Sequence, residues 1–241
     1  MDARHLDELK EVERSYWWHR AKRALVRRVL RQHYPPPGRL VEGGVGAGAN
    51  LLSFARAGFQ VSGLDIAPAS VEYCRGRGLQ DVQVHDLQQP WPMEPRSARV
   101  VVLLDVLEHL SDPIQALGHA ANVLEAGGGI VFTVPAGPSL MGPWDEMLGH
   151  YRRYTPAMIR RQANEAGLQI VWLSHWNSFT YPLAWTIRRV QRWRRAPSGT
   201  EFPKVSPLVN RCLLALAAGE RSLLGKCPVP IGLSLVGVLK S

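Results

Sequence analysis

A glycine-rich turn between a predicted strand and a predicted helix constrains the fold of this chain most strongly. The apolar run 39–41 follows a Pro-Pro-Pro-Gly breaker and predicts a short buried strand. Glycines then alternate at Gly44, Gly46 and Gly48, and the segment 49–57 has helical spacing. Because glycine lacks a Cβ, such a turn can adopt positive φ angles and let a ligand touch the backbone.

A second predicted strand, residues 60–65, follows that helix and ends on the carboxylate of Asp65. This order indicates a nucleotide site: the helix N-terminus supplies unpaired N–H groups, and an acid at a strand end can bind ribose hydroxyls. A merely tight turn would explain the glycines but not Asp65. The spacing Gly44-x-Gly46-x-x-Ala49 also fits the dinucleotide fingerprint, so an NAD(P)-dependent oxidoreductase remains an alternative here.

Alternating strands and helices continue along the chain and predict its fold class. Strands are predicted at 39–41, 60–65, 82–86, 100–106, 130–134, 169–174 and 233–240. Helices are predicted at 49–57, 68–77, 113–124, 156–166, 181–195 and 207–224. We expect Gly127–Gly129 to stop the helix 113–124 and residues 135–155 to form one long loop. The pattern predicts an α/β, Rossmann-like, doubly wound fold, with a mostly parallel seven-stranded sheet and helices on both faces.

Three successive strands of this sheet end on acids, namely Asp65, Asp86 and Asp105. In doubly wound sheets the ligands bind beyond the carboxyl ends of the strands. One acid at that edge is common, whereas three in succession outline a pocket.

The chain divides into four predicted parts. Residues 1–38 form an N-terminal helical cap, 39–178 the cofactor-binding core, 179–232 a basic, amphipathic helical insertion, and 233–241 the final strand of the core. The aromatic and basic cluster 16–20 in the cap predicts either a lid over a cofactor or packing on the core.

The formal net charge of +9 allows an anionic partner. Segment 181–195 is basic and amphipathic, which suits peripheral contact with a membrane and equally suits a solvated helix over a core. A basic binding module for RNA or anionic lipid is therefore a further alternative, with RNA less favoured because no RNA-binding module is appended.

We see no signal peptide and no run of 18 apolar residues, and we expect a cytoplasmic protein. The cysteines, Cys74, Cys212 and Cys227, share no metal-like spacing, and their odd number argues against a disulfide framework. A reducing compartment fits this usage best, and we predict no metal site.

Taken together, five segments resemble the class I S-adenosylmethionine-dependent methyltransferases. They are Glu42–Gly48, Asp65–Ile66, Asp86–Leu87, Leu104–Leu110 and Gly149–Thr155. The resemblance covers about residues 15–178 and is nearest to the bacterial small-molecule branch, similar to quinone-biosynthesis methyltransferases. It implies S-adenosylmethionine as cofactor, S-adenosylhomocysteine as product, and a small-molecule acceptor.

The resemblance also implies the residues of the site. The cofactor-binding residues would be Glu42, Gly44, Gly46, Gly48, Asn50, Asp65, Ile66, Asp86, Leu87, Leu104 and Asp105. Asp65 would bind the ribose hydroxyls, Asp86 the adenine amino group, and Leu104 and Asp105 would flank the methionyl group.

Methyl transfer is an in-line displacement, and a hydroxyl acceptor would gain from a general base. His109 and His150 are the candidates for this role, because histidine ordinarily titrates near neutral pH. Each could instead only hydrogen-bond a cofactor or orient a neighbour. The predicted acceptor-binding residues are Trp18, Arg20, Trp144, Arg152, Trp176 and Tyr181, each of which could also serve packing alone. The acceptor could be lipophilic or lipid-linked.

Overall fold

A computed structural model describes residues 11–194, 205–226 and 229–241. In the first of these ranges, side chains are described as far as residue 190. The first ten residues of the predicted cap, Arg195 at the end of the predicted helix 181–195, and Cys227 lie outside the described residues.

Seven strands form one sheet. They are β1 Arg39–Gly43, β2 Gln60–Asp65, β3 Val82–Val84, β4 Ala98–Leu104, β5 Leu124–Pro135, β6 Gln169–Trp176 and β7 Ser234–Lys240. The strand order is β3-β2-β1-β4-β5-β7-β6, and β7 runs antiparallel to both of its neighbours while the other pairs are parallel. The predicted fold class, a mostly parallel seven-stranded doubly wound sheet, is confirmed.

Helices connect the strands and cover both faces of the sheet. They are α1 Trp17–His33, α2 Ala49–Ala55, α3 Pro68–Gly76, α4 Pro113–Val123, α5 Pro143–Met147, α6 Pro156–Glu165, α7 Tyr181–Arg194 and α8 Pro207–Leu223. Residues 11–15 are also helical. Local chemistry sets the starts of two of them: Asp112 accepts from the N–H groups of Ile114 and Gln115 before α4, and Thr155 accepts from Met158 before α6.

The core forms two layers because side chains along a strand alternate between the faces of the sheet. In β4, Val100 and Val102 join the layer beneath α1 and α2. Val101 and Leu103 join the layer beneath α4 and α6. The apolar run in β4 is therefore buried on both sides, as expected of a central parallel strand.

Two local predictions were wrong. Gly127–Gly129 do not form a separate stop after α4, because β5 begins at Leu124 and includes them. Gly129 pairs with both neighbouring strands, and a Cβ there would collide with the Tyr34 hydroxyl and the Leu239 carbonyl. Residues 135–155 are not one loop, since they contain a 3₁₀ turn, Pro138–Leu140, and α5.

The C-terminal insertion packs against the N-terminal helix. Helix α8 lies along α1, and the Arg28 guanidinium donates to the carbonyls of Arg221 and Leu224. The Glu220 carboxylate accepts from the backbone N–H groups of Asn177 (3.1 Å) and Ser178 (2.8 Å), just beyond β6. None of the helices in the described ranges combines the length and apolarity that a bilayer span requires.

Candidate active site

The glycine-rich loop lies between β1 and α2 with three left-handed glycines. Gly44, Gly46 and Gly48 have φ angles of 75°, 55° and 74°. The Gly44 N–H donates to the carbonyl of Leu64 at 2.7 Å, which ties the loop to the end of β2. A Cβ at Gly44 would lie 2.5 Å from a methyl group of Val106, so the neighbouring chain leaves room for glycine alone.

Asp65 fastens the same loop from the end of β2. One of its carboxylate oxygens accepts from the Gly46 N–H at 2.9 Å, and the other accepts from the Ala67 N–H at 2.9 Å. Burial raises the pKa of Asp65, and these two hydrogen bonds oppose the rise. Beside it Ile66 is 67% exposed, an apolar side chain available to pack against a planar ring.

The ends of β3 and β4 bring four more predicted residues to this edge: Asp86, Leu87, Leu104 and Asp105. Asp86 is half-buried and accepts from the Gln88 N–H at 3.0 Å, and Leu87 and Leu104 are buried. Asp105 has a φ angle of 55°, an uncommon conformation for a non-glycine residue that tends to occur at functional sites.

A buried lysine from α1 reaches Asp105. The Lys22 ammonium lies 2.6 Å from one carboxylate oxygen of Asp105, and the Thr133 hydroxyl donates to the other at 3.1 Å. Lys22 also lies over the Trp18 ring, 4.3 Å from its centroid. The N-terminal helix thus both packs on the core and places a charged group at the tip of β4.

Glu42, at the end of β1, is a buried carboxylate. Among the described residues neither of its oxygens has a hydrogen-bonding partner, although Asn50 lies beside it. Burial is the main cause that holds the pKa of Glu42 well above its usual range, and the nearby Glu13 carboxylate adds to it. The protonated form of Glu42 is therefore favoured. Glu13 accepts from the Ala49 N–H at 3.2 Å, and Arg23 donates to Asn50 at 3.1 Å.

Lys22, Glu13 and Arg23 are site residues that the sequence analysis missed. Their contacts depend on how the N-terminal helices pack on the sheet, which no local motif encodes. The one available signal was the position of Lys22, one helical turn after Trp18 in the aromatic and basic cluster.

The two predicted histidines meet beyond the end of β4. His109 ends the 3₁₀ turn Leu107–His109, and its ring lies edge-to-face against the His150 ring with centroids 4.7 Å apart. The pKa of His109 is lowered to about 4. The main cause is desolvation of its ring, although the residue as a whole remains exposed, and the neighbouring His150 is the second cause. His109 is therefore a neutral imidazole at neutral pH.

Glu108 completes a group of three polar side chains. It is fully buried, and among the described residues its two carboxylate oxygens lack hydrogen-bonding partners. Burial, followed by the charge of Asp105, holds the pKa of Glu108 well above its usual range. Glu108, His109 and His150 each offer one possible ligand atom, and these three atoms lie within 4.8 Å of one another. They are close enough to bind a single metal ion. The sequence did not predict this grouping.

The predicted acceptor residues are scattered more widely. Trp18 lies beside Lys22, whereas Arg20 is exposed on α1. Trp176 is 1% exposed and packs in the core, with its ring 6.1 Å from that of Trp18. Arg152 donates to the Ser111 carbonyl at 3.2 Å.

Trp144 and Tyr181 are both half-buried, at the starts of α5 and α7. The structure therefore brings the cofactor residues and the histidines to one sheet edge, without assembling all six predicted acceptor residues into one pocket. A surface pocket lined by residues of α6, β6 and β7 together with Gly225, Lys226 and Val229 contains none of the predicted site residues.

Comparison with known proteins gives a consistent result. Residues 17–173 match a family model described as a methyltransferase domain. A ubiquinone biosynthesis O-methyltransferase of Xanthomonas euvesicatoria pv. vesicatoria (strain 85-10) is 30% identical over 146 residues, which are 52% of this chain and 61% of that protein. The chain spans about half the length of the curated relatives that it matches.

Two solved structures show the same fold. A SAM-dependent methyltransferase from Archaeoglobus fulgidus has a TM-score of 0.63 at 16% identity, with all of both chains covered. A geranyl diphosphate methyltransferase in complex with SAM has a TM-score of 0.59 at 15% identity, covering 92% of this chain and 86% of that one.

The fold and the strand-end acids define a Rossmann-like domain built to hold a nucleoside cofactor. The chain belongs to the methyltransferase-domain family. The resemblance to methyltransferases is confirmed by the family match, and the solved S-adenosylmethionine-dependent methyltransferases share the fold. The family match favours this reading over an NAD(P)-dependent oxidoreductase.

A substitution at Gly44 tests the loop. Gly44→Ala places a Cβ against Val106 at a φ of 75°, and we expect the affinity for S-adenosylhomocysteine to fall by about tenfold or more. Gly78→Ala is a matched control, because its φ of 89° imposes similar backbone strain with no atom within 4 Å of the new Cβ. Titration calorimetry should show weakened binding for the first variant alone, and equal losses in both would contradict the assignment.

Substitution of Glu42 tests its buried charge in the cofactor-free protein. The pKa of Glu42 is higher in the folded protein than in the unfolded chain, where it is about 4.5. The stability that protonated Glu42 contributes is therefore fully present below pH 4.5, and it is lost as the pH rises through the folded-state pKa. Glu42→Gln should therefore raise the free energy of unfolding at pH 8 by about 1 kcal/mol or more, with the gain fading towards pH 4.5. Urea denaturation across this range measures the effect, with the exposed Glu125→Gln as control. A gain independent of pH would show that charge burial is not its cause.

Proposed function

We propose that this chain transfers the methyl group of S-adenosylmethionine to a hydroxyl group of a small, lipophilic or lipid-linked acceptor. The observation that carries the proposal is the contact of His109 with His150 beside Asp105, at the strand edge that holds the cofactor residues. The relative named as a ubiquinone biosynthesis O-methyltransferase supports an oxygen acceptor of this kind.

The residues of the sheet edge would bind and orient the cofactor. The backbone of Gly44–Gly48 would lie against its methionyl part, Asp65 would bind the ribose hydroxyls, and Ile66 and Asp86 would contact the adenine. When bound, S-adenosylmethionine supplies a methyl group on a sulfonium, already an activated leaving group. Fixing the acceptor oxygen about 3–3.5 Å from that carbon can contribute ~7–11 kcal/mol through proximity and orientation.

The histidine pair would remove the proton of the acceptor hydroxyl. A neutral imidazole is required for this step, and the pKa of His109, lowered to about 4 by desolvation and by His150, keeps that ring neutral. His150 is hydrogen-bonded through Nδ1 to Asp145 at 3.1 Å, the arrangement of an oriented base. We assign His150 as the base and His109 as the neutral ring that packs against it.

A panel of acceptors tests this function. With S-adenosylmethionine and a prenylated catechol, we expect S-adenosylhomocysteine to form and the methyl group to appear on oxygen. His150→Ala should lower kcat by about 10²–10⁴-fold, because a general base contributes that much. His109→Ala should have the smaller effect. Calorimetry with S-adenosylhomocysteine is the control for both variants, and undiminished turnover in His150→Ala would contradict the base assignment.

A lipophilic acceptor is supported by the surface of α7. Leu183 is 65% exposed, and Ile187 and Val190 are also exposed. These three recur at the i, i+4 and i+7 spacing of a single helix face. Helix α8 likewise leaves Leu208, 71% exposed, and Leu216 in solvent.

Charge points to an anionic membrane as the partner of this surface. Segment 179–232 contains nine lysines and arginines against two acids, so seven of the nine net positive charges of the chain fall there. One of the two acids, Glu220, is already hydrogen-bonded to backbone N–H groups. We place the enzyme in the cytoplasm, in peripheral contact with anionic lipid through 181–195.

Vesicle sedimentation tests the membrane contact. At low salt, we expect binding to vesicles that contain phosphatidylglycerol and little binding to pure phosphatidylcholine. Leu183→Glu with Ile187→Glu should weaken binding by about tenfold or more, since it removes apolar area and adds two negative charges. Gln80→Glu with Gln115→Glu adds the same charge at exposed positions on other elements and should bind nearly as wild type. Equal losses in the two double variants would leave no role for the apolar face.

A further inference from the structure

Asp145 is a buried carboxylate that joins three parts of the molecule. It lies in α5 and is 0% exposed. Its oxygens are approached by His150 Nδ1 at 3.1 Å, Arg153 Nε at 2.8 Å and an Arg188 nitrogen at 3.5 Å. The N–H of Gly142 donates to it at 3.1 Å, closing the first turn of its own helix.

The surroundings of Asp145 keep it ionised. Burial opposes ionisation, but the hydrogen bond from His150 and the positive charges of Arg153 and Arg188 hold the pKa of Asp145 below its usual range. An ionised carboxylate can only accept hydrogen bonds. A neutral His150 must then carry its proton on Nδ1, which leaves the lone pair on Nε2.

The position of the His150 ring is fixed from two directions. In addition to the side-chain contact, the His150 backbone N–H donates to the Asp145 carbonyl at 2.9 Å. Arg153 donates to the Ala136 carbonyl at 2.8 Å, which anchors the carboxylate to the end of β5. Arg188 belongs to α7, so the same carboxylate links this loop to the helix with the exposed apolar face.

We propose that Asp145 is a positioning residue that holds the His150 ring and fixes its proton on Nδ1, so that Nε2 faces the reaction unprotonated. The proposal deepens the proposed function, because it rests on His150 acting on the acceptor. A carboxylate that orients an imidazole and selects its tautomer is a recurrent device in base catalysis. Asp145 and His150 are only five residues apart, whereas Arg188, which also reaches this carboxylate, lies 43 residues away from Asp145 and could not be linked to it from the local sequence.

The wild-type protein gives the first test. Long-range ¹H–¹⁵N spectra of the imidazoles at pH 8.5, with His150 identified by its loss in His150→Gln, should show the proton on Nδ1. A His150 ring protonated on Nε2 would overturn the proposal without any further variant.

Asp145→Asn gives the second test. Asparagine keeps the shape of the side chain but loses its charge. His150 Nδ1 and Arg153 Nε share one oxygen of Asp145, so an NH₂ group in place of that oxygen would lose the Arg153 contact, donate to Nδ1 and favour the wrong tautomer. We expect the proton to move to Nε2 and kcat to fall by about 10²–10⁴-fold, with S-adenosylhomocysteine binding unchanged. Asp112→Asn is the matched control, because that carboxylate caps α4 and contacts no histidine. It should leave the tautomer and kcat as in wild type.

The outcomes separate the two hypotheses. If Asp145→Asn changes neither the tautomer nor kcat, the positioning role is wrong. If the tautomer shifts while kcat stays constant in both Asp145→Asn and His150→Gln, the base assignment of the proposed function fails, and the catalytic importance of Asp145 fails with it. A fall in kcat accompanied by equal loss of S-adenosylhomocysteine binding would indicate general damage to the fold and would overturn the proposal.

Discussion

The hydrogen bond from the Gly46 N–H to the Asp65 carboxylate holds the cofactor loop in shape. A turn with three left-handed glycines is costly to order, because glycine loses more conformational freedom than any other residue. Asp65 offsets that cost by joining the loop to the end of β2 before any ligand arrives. One oxygen of Asp65 accepts from Gly46 in the loop, the other accepts from Ala67 just after β2, and a carboxylate has about four lone-pair sites. Asp65 therefore keeps lone pairs for a further hydrogen-bond donor while it holds the loop.

Much of this edge was predictable because it is encoded locally. A glycine run after a strand and an acid at a strand end can be read within a few residues, and parallel strands bring such ends together. Contacts between distant segments were not predictable. Lys22 and Asp105 are 83 residues apart, and their pairing follows from the packing of α1 on the sheet. Gly127–Gly129 misled for the same reason: their local signal is a helix stop, but all three lie in β5, and at Gly129 the contacts with Tyr34 and β7 leave no room for a Cβ.

The electrostatics beyond the end of β4 follow one rule: charged groups there are paired, and unpaired groups are held neutral. Lys22 pairs with Asp105, and Asp145 pairs with Arg153. The raised pKa of Glu108 favours its protonated form, and the lowered pKa of His109 favours its neutral form. Unpaired buried charge is expensive, so this distribution is the one that folding tolerates.

Helix α7 has one apolar face exposed to solvent and one face packed towards Asp145, so it links the exposed apolar surface to the residues around His150. Tyr181, Ala184 and Arg188 form its less exposed face, whereas the stripe begun by Leu183 is exposed. Arg188 is 16% exposed and reaches Asp145, which in turn contacts His150. Two polar contacts therefore separate a helix suited to an apolar surface from the imidazole assigned to the acceptor. Through Arg188 and Asp145, the position of α7 at a lipid surface would be coupled to the position of the His150 ring in the segment after α5.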